Sequence, residues 1–411
     1  MSRANLLSAK LARGGITAAR SVTAARSPAS VREPTDIRSR IGTGWEAPAL
    51  LTVTLMLLGI GLVQVYSASS VMAIAEKHPD YHYVVKQLTG AAAGFGLLAC
   101  MALVDYRRLR MLAWPMLIIV VVALLVMVVP GMPNSIVPLG NGARRWLYIG
   151  PVGLQPSEFA KLSLIIWTAA LAVKKQDKLS SLSRGLMPFL VMWCAVAGLV
   201  MLQPSYSAAV LILLLAALVV FAAGARIGHF IVLGLIGLPI LWTQLTSAAY
   251  RSTRILTFLH RDEAAAAAGY QINQALIAVG SGGLFGVGFG HGQQKFGFLP
   301  EPHNDFLFAM LSEEWGMVGG VIVVGLFAAF ALIGYRIARD AEDMFGFLLA
   351  IGITNLVVVH ALLHFLINLA LVPTTGVTLP FMSYGRSSLL VCMAGVGILM
   401  SVARRAQTRI E

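Results

Sequence analysis

Residues 111–129 read MLAWPMLIIVVVALLVMVV, which is nineteen residues without a charged side chain. A helix of about 17 to 25 mostly apolar residues is long enough to cross the hydrocarbon core of a bilayer. The stretch therefore predicts a transmembrane helix.

Nine further apolar stretches have the same character. They cover residues 48–70, 84–104, 157–173, 186–202, 205–223, 227–245, 304–333, 344–372 and 383–402. The chain is 58% hydrophobic and only 12% charged, far from the balance of a soluble domain. We therefore predict an all-α polytopic membrane protein with ten transmembrane helices. The stretches at 304 and 344 exceed one span, so those helices are tilted, extend beyond the lipid or have other ends.

Lysine and arginine predict the orientation, because cytoplasmic loops retain positive charge. Of the 31 such residues, 21 fall on one side of the ten stretches and seven on the other. Both termini are therefore predicted to be cytoplasmic. This topology, with anionic lipid at the inner surface, explains the net charge of +13, so the charge does not indicate nucleic-acid binding.

Three segments flank or interrupt the stretches. Residues 1–46 are rich in Arg, Ser and Ala without a long apolar core, which predicts a disordered basic cytoplasmic tail. Residues 47–403 form the predicted membrane domain, and residues 404–411 form a second cytoplasmic tail. Between helices 7 and 8, residues 246–303 form a large extracytoplasmic loop, in which apolar residues from Ile272 to Val279 recur at helical spacing.

Residues 298–306 read FLPEPHNDF and place Asp305 where the loop re-enters the bilayer. A carboxylate at that depth is costly, so it indicates a functional site. The structural alternative is that Asn304 or Asp305 is the N-cap of the next helix. The position alone favours neither.

Residues 140–150 read GNGARRWLYIG on the outer face. Two guanidiniums, Arg144 and Arg145, stand beside Trp146 between glycines that permit tight turns. This arrangement suits a diphosphate at the headgroup level of a lipid. The alternative is an interfacial anchor whose arginines reach lipid phosphate.

Glu158 and Lys161 follow within residues 155–161, QPSEFAK. They are three residues apart, so they share one helix face and can form an ion pair near the membrane edge. Such a pair either fixes this helix against its neighbours or acts directly in catalysis.

A glycine-rich segment, residues 280–290, reads GSGGLFGVGFG and precedes Lys295. Glycines let backbone amides approach a ligand or let helices pack closely, and the segment is no Walker motif. With Arg251, Arg254 and Lys295 nearby, the loop would present cations to an anionic group outside the membrane.

Prolines and glycines break regular helix in residues 371–385. Such a break is tolerable at membrane depth only where other parts of the protein cover the chain or where the chain lines a cavity.

These motifs, in this order, resemble the family of shape, elongation, division and sporulation (SEDS) proteins, which includes FtsW and RodA. The resemblance extends from about Glu46 to the C-terminus. It depends on residues 141–146, 155–161, 269–271, 280–295, 299–306 and 374–388.

The resemblance implies a peptidoglycan glycosyltransferase that polymerises lipid II at the outer face of the inner membrane, together with a class B penicillin-binding protein and other division proteins. It implies that Asp305 is the general base and that Glu158 and Lys161 matter for activity. We assign Arg144, Arg145, Lys295, Trp146, Gln271 and Ser383 to substrate binding. The basic tail is more similar to FtsW-like members, which act in cell division, than to RodA-like ones, which act in elongation. The sequence contains no metal motif and predicts no specific cofactor. It is compatible with a divalent cation.

The sequence departs from the family pattern at four positions, which are Ser205 for Asp, Val287 for Lys, His364 for Asn and Arg386 for Gly. A lipid II flippase is the alternative function, since it would also need cations, a cavity and an intramembrane carboxylate. The two halves of the sequence show no internal symmetry, which disfavours that alternative. A scaffold that only anchors a partner enzyme would not explain the exterior residues around Asp305.

Overall fold

The computed structural model describes residues 44–140, 142–150, 152–179, 181–246 and 267–408. The predicted tail therefore lies almost wholly outside the described residues, as do Arg251 and Arg254. Within the described residues the helices, in chain order, are α1 (Glu46–Ala75), α2 (His82–Leu103), α3 (Arg108–Val128), α4 (Pro156–Lys174), α5 (Met187–Met201), α6 (Tyr206–Ala222), α7 (Ile227–Thr246), α8 (Ala267–Ser281), α9 (Leu307–Arg339), α10 (Met344–Asn368) and α11 (Arg386–Thr408). A short 3₁₀ helix, Gln176–Lys178, and a π-helical turn, Leu182–Leu186, precede α5.

The prediction of a helical, polytopic membrane protein is confirmed. Eight helices in the described part of the chain are long and apolar enough to cross a membrane, and α6 is a shorter apolar helix. All ten predicted stretches coincide with helices, and α8 is the helix predicted within the large loop. The number of membrane crossings stays a prediction. Some ends differ, since α9 continues to Arg339 and α11 to Thr408.

Ion pairs join helix ends at the face predicted to be cytoplasmic. They are Arg336 Nε to Glu46 Oε1 at 3.3 Å, Arg405 Nη2 to Asp105 Oδ2 at 2.8 Å, and Arg107 to Glu342. The start of α1, the α2–α3 connection, the α9–α10 connection and the end of α11 therefore lie at one face. Both ends of the membrane domain share this face, in agreement with the distribution of lysine and arginine.

Small residues let the central helices approach closely, as helix packing in a bilayer favours. Gly334 of α9 faces Thr354 of α10, and Gly352 of α10 faces Ile165 of α4, without room for a Cβ atom at either glycine. α4, α10 and α11 are the most buried of the spanning helices. Because α10 is enclosed in this way, its polar side chains need partners on neighbouring segments.

A small hairpin departs from the all-α prediction. Strands β1 (Leu147–Ile149) and β2 (Val152–Leu154) pair antiparallel, with Tyr148 opposite Gly153. The turn uses Gly150 at φ +62°, a conformation that glycine adopts without strain. Each strand has only three residues, which is too short for alternating polarity to show in the sequence.

α9 is broken at Gly316, whose φ of +69° and ψ of −165° are not helical. The glycine-rich segment supplies hydrogen-bond partners on both sides of the break. Val287 and Gly288 donate their N–H groups to the carbonyls of Glu313 and Glu314, at 3.0 and 3.1 Å. Beyond the break, Met317 and Val318 donate to the carbonyls of Gly283 and Leu284, at 2.9 and 3.1 Å. Of the two alternatives for these glycines, the structure supports close packing.

Candidate active site

Asp305 lies in the turn of residues 301–306 that leads into α9. Phe306 occupies the cap position of the helix, so neither Asn304 nor Asp305 is the N-cap that the structural alternative requires. Asp305 is half-buried, and a Cβ added at Gly376 would lie 3.5 Å from its Oδ2 atom. The segment that follows α10 therefore passes directly beside the carboxylate.

Ser383 joins that segment to the Asp305 turn. Its hydroxyl donates to the Asn304 carbonyl at 2.8 Å and accepts a hydrogen bond from the Leu379 N–H at 3.0 Å. The Tyr384 N–H donates to the His303 carbonyl at 3.0 Å. Ser383 is buried, so in this geometry it holds the turn in place. Its contact with substrate stays a prediction.

His303 packs in an aromatic cluster beside the turn. Its ring centroid lies 4.7 Å from that of Tyr83 and 5.5 Å from that of Tyr384. Burial lowers the pKa of His303 to about 4, so the imidazole is neutral at pH 7. Its Nδ1 atom has no hydrogen-bond partner among the described residues. The ring therefore supports the turn by packing.

The predicted ion pair of Glu158 and Lys161 is confirmed, with Lys161 Nζ 2.7 Å from Glu158 Oε1. The Lys161 side chain is 3% exposed, and its Nζ also lies 2.7 Å from His360 Nε2. His360 Nδ1 lies 2.6 Å from the Leu356 carbonyl. This contact makes Nδ1 the donor and leaves Nε2 to accept from the ammonium. The pair thus links α4 to α10, with Lys161 enclosed and the Glu158 side chain 14% exposed.

Arg144, Arg145 and Trp146 lie at the start of the hairpin. Arg145 donates from Nη2 to the Pro204 carbonyl at 2.7 Å and from Nε to the Gln203 carbonyl at 3.3 Å. Arg144 is half-buried, and Trp146 is 38% exposed. Arg145 therefore anchors the hairpin to the α5–α6 connection. The diphosphate-binding roles of all three residues stay predictions.

Lys295 lies in a buried polar cluster between α1 and α9. Its Nζ donates to the Gly290 carbonyl at 2.6 Å and to Ser67 Oγ at 3.4 Å, and it lies 3.5 Å from Glu314 Oε1. Gln64 and Ser67 of α1 also donate to the Glu314 carboxylate. Two of these contacts are hydrogen bonds and the third is an ion pair, so protein atoms already engage the ammonium. The predicted role of Lys295 in diphosphate binding would require this cluster to open.

Gln271 lies in α8, where it is half-buried while its neighbour Ile272 is buried. Its role in substrate binding stays a prediction. Among the described residues, no group of three or more His, Cys, Asp and Glu side chains is placed to hold a metal ion. Magnesium is commonly bound by one or two carboxylates together with substrate phosphates. A divalent cation at Asp305 would therefore need such phosphates as further ligands.

Sequence reasoning missed a row of polar residues on α10. His360, His364 and Asn368 are each four residues apart, so they lie on one helix face. His360 holds Lys161, while Asn368 Nδ2 donates to the Asp305 carbonyl at 3.2 Å. Polar side chains inside a membrane helix indicate function or buried partners, and the four-residue spacing would have identified the row.

The comparisons with known proteins agree on one family. A family model described as "Cell cycle protein", which covers FtsW, RodA and SpoVE, matches residues 48–408. Stage V sporulation protein E of Bacillus subtilis is 39% identical over 355 residues, covering 86% of this chain and 96% of the relative. A probable peptidoglycan glycosyltransferase FtsW of Trichlorobacter lovleyi is 37% identical over 355 residues, covering 86% and 92%.

A solved structure is similar to this chain in fold. One chain of a structure concerning the coordination of polymerization and crosslinking by a peptidoglycan synthase complex superposes with a TM-score of 0.72. It is 26% identical to this chain, and the match covers 89% of this chain and 98% of that one.

Proposed function

Since the chain belongs to the FtsW, RodA and SpoVE family, we propose that it is a peptidoglycan glycosyltransferase that polymerises lipid II at the outer face of the inner membrane. The chain is a multi-pass membrane protein. Its relative from Trichlorobacter lovleyi carries the name of this activity at 37% identity over most of both chains. We assign it, more specifically, to cell division, as in FtsW-like members.

The observation that carries the proposal is the position of Asp305. The cytoplasmic end of α9 carries Arg336 and Arg339, and residues 317–339 form the continuous part of the helix on the cytoplasmic side of the break at Gly316. At 1.5 Å per residue this part alone is about 35 Å long, which is more than the roughly 30 Å of the hydrocarbon core. This length supports the proposal that Asp305 belongs to the extracytoplasmic face, where the lipid-linked sugar would be accessible.

The chemistry of polymerisation needs a base at that face. The bond between the anomeric carbon of the donor and its lipid diphosphate breaks, and the diphosphate leaves with the electron pair. A hydroxyl of the acceptor sugar forms the new glycosidic bond and gives up its proton. Asp305 accepts that proton, and a well-placed general base contributes about 10² to 10⁴ in rate.

Cations would stabilise the charge that develops on the departing diphosphate. Arg144 and Arg145 are the candidates at the outer face, with Trp146 beside them at 38% exposure. Glu158 and Lys161 form an ion pair that His360 extends, and we assign the pair a role in activity through its link between α4 and α10. Because the diphosphate is already a good leaving group, the protein needs no second carboxylic acid of the kind that glycosidases use.

A class B penicillin-binding protein is the proposed partner. The solved chain that superposes on this one comes from a structure of a peptidoglycan synthase complex that concerns the coordination of polymerization and crosslinking. A glycan strand made by this chain would need a transpeptidase to crosslink it, and a partner enzyme would supply that activity.

The test is reconstitution of the purified protein in vesicles with labelled lipid II, alone and with the penicillin-binding protein. Glycan polymer on a gel is the expected result, with more polymer when the partner is present. Transfer of lipid II between leaflets without polymer would instead support the flippase and overturn the proposal. In cells, depletion should give filaments without septa, whereas rounded cells would assign the protein to elongation.

A further inference from the structure

α9 begins without a capping side chain of its own. The first backbone N–H groups of a helix have no partner within the helix. Phe306 occupies the cap position, and a phenyl ring cannot accept their hydrogen bonds. Phe308 and Ala309 are buried, so their N–H groups also have no access to water. An unpaired buried N–H group is costly, and these two therefore need acceptors from elsewhere.

α10 supplies both acceptors. The Phe308 N–H donates to His364 Nε2 at 3.4 Å, and the Ala309 N–H donates to Asn368 Oδ1 at 3.0 Å. His364 and Asn368 are four residues apart on one face of α10, and neither is exposed. One helix thus caps another through two side chains.

The same two side chains also hold the segments on either side of the Asp305 carboxylate. Asn368 Nδ2 donates to the Asp305 carbonyl at 3.2 Å and to the His364 carbonyl at 2.8 Å. His364 Nδ1 lies 2.8 Å from the Val377 carbonyl and donates to it. Val377 follows Gly376, the residue beside Asp305 Oδ2.

We propose that His364 and Asn368 are positioning residues that fix Asp305 for proton transfer by capping α9 and holding the Asp305 turn against residues 376–377. The inference depends on the proposed function, because it assigns Asp305 the role of base. His364 uses Nδ1 as donor and Nε2 as acceptor, so only the neutral imidazole with its proton on Nδ1 makes both contacts. Asn368 uses its carbonyl and amide groups in the same way.

The test uses His364→Phe and Asn368→Leu, which keep most of the side-chain volume and remove the hydrogen bonds. Thr354→Val is the matched control, because Thr354 is a buried polar residue of α10 whose Oγ1 has no partner among the described residues. We expect kcat for lipid II polymerisation to fall about 10²-fold in both variants with KM changed by less than about twofold, since displacement of a catalytic group by about 1 Å costs this much. The control should retain wild-type kcat.

Amide hydrogen exchange gives a readout that does not depend on activity. The amides of residues 307–309 should exchange faster in His364→Phe and Asn368→Leu than in the wild type or in Thr354→Val. Unchanged exchange would overturn the capping contacts, and unchanged kcat with faster exchange would overturn the positioning role. A wild-type protein that makes no polymer would defeat the proposed function instead, while the exchange result would still stand.

Partial replacements separate positioning from general loss of folding. His364→Asn can retain the donor to the Val377 carbonyl, and His364→Gln can retain an acceptor for the Phe308 N–H. Each should recover part of the lost kcat relative to His364→Phe. If both are as inactive as His364→Phe while being fully folded, the hydrogen bonds are not what positions Asp305.

Discussion

α9 loses its regular hydrogen bonding at two places in its outer half, and the two are repaired by different means. At its start, side chains of α10 accept the N–H groups of Phe308 and Ala309. At Gly316, the backbone of the glycine-rich segment replaces the missing helical partners. The first repair supports an irregular turn that carries Asp305, whereas the second is a close backbone contact. Under the proposed function the first region serves chemistry, whereas the second serves stability.

The largest expected effect comes from Asp305→Asn, which keeps the size of the side chain and removes its basicity. Polymerisation of lipid II should fall by about 10² to 10⁴, because the acceptor hydroxyl loses its base. The melting temperature in detergent should stay close to that of the wild type. A variant that polymerises at the wild-type rate would remove the distinction between a chemical and a structural region of α9.

At the second region, Lys295→Met should destabilise the protein by about 3 to 5 kcal/mol, because it leaves the buried Glu314 carboxylate without its cation. Chemical unfolding in detergent measures the loss. The control is the double variant Lys295→Met with Glu314→Gln, which removes both charges and should recover much of the stability. If the single variant is as stable as the double one and loses only substrate affinity, Lys295 binds the diphosphate instead.

Gly286→Ala tests the backbone contact itself. A Cβ at Gly286 would overlap the Glu314 carbonyl, and the residue has φ +82°, which side chains rarely adopt. We expect a loss of about 2 to 4 kcal/mol in the free energy of unfolding. Gly280→Ala is the matched control, since nothing lies within 4 Å of a Cβ at that position. Equal stability of the two variants would contradict the packing role of the segment.

The sequence could predict those features of the molecule that depend on residues close together in the chain. Apolar length alone identified the spans, and the three-residue spacing of Glu158 and Lys161 predicted a pair that lies at 2.7 Å. Asp305 is predicted to be functional because a carboxylate at the bilayer edge is costly, and its role stays a prediction. Each inference used information within a few residues of the site.

The partners across the fold could not be predicted in the same way. His364 and Phe308 are 56 residues apart in the chain, and Asn368 and Asp305 are 63 apart. Which helices pack together decides such contacts, and one sequence does not contain that information. For this reason the sequence predicted that Lys295 presents its charge to an anionic group outside the membrane, but not its contacts with α1 and α9.

The smallest expected effect is at the first region, where the titration of His303 makes the free energy of unfolding depend on pH. Burial holds its pKa at about 4 in the folded protein, compared with the ordinary value of 6.5. Between these values the unfolded chain binds the additional proton, so the free energy of unfolding decreases as the pH falls from 6.5 to 4. The loss should reach about 2 kcal/mol at pH 5, at about 1.4 kcal/mol for each pH unit.

His303→Phe keeps an aromatic ring without a titrating group, so its melting temperature should depend less on pH over this range. An identical pH dependence in the variant would show that the imidazole is not buried beside the Asp305 turn, and would weaken the case for a rigid, packed turn at the start of α9.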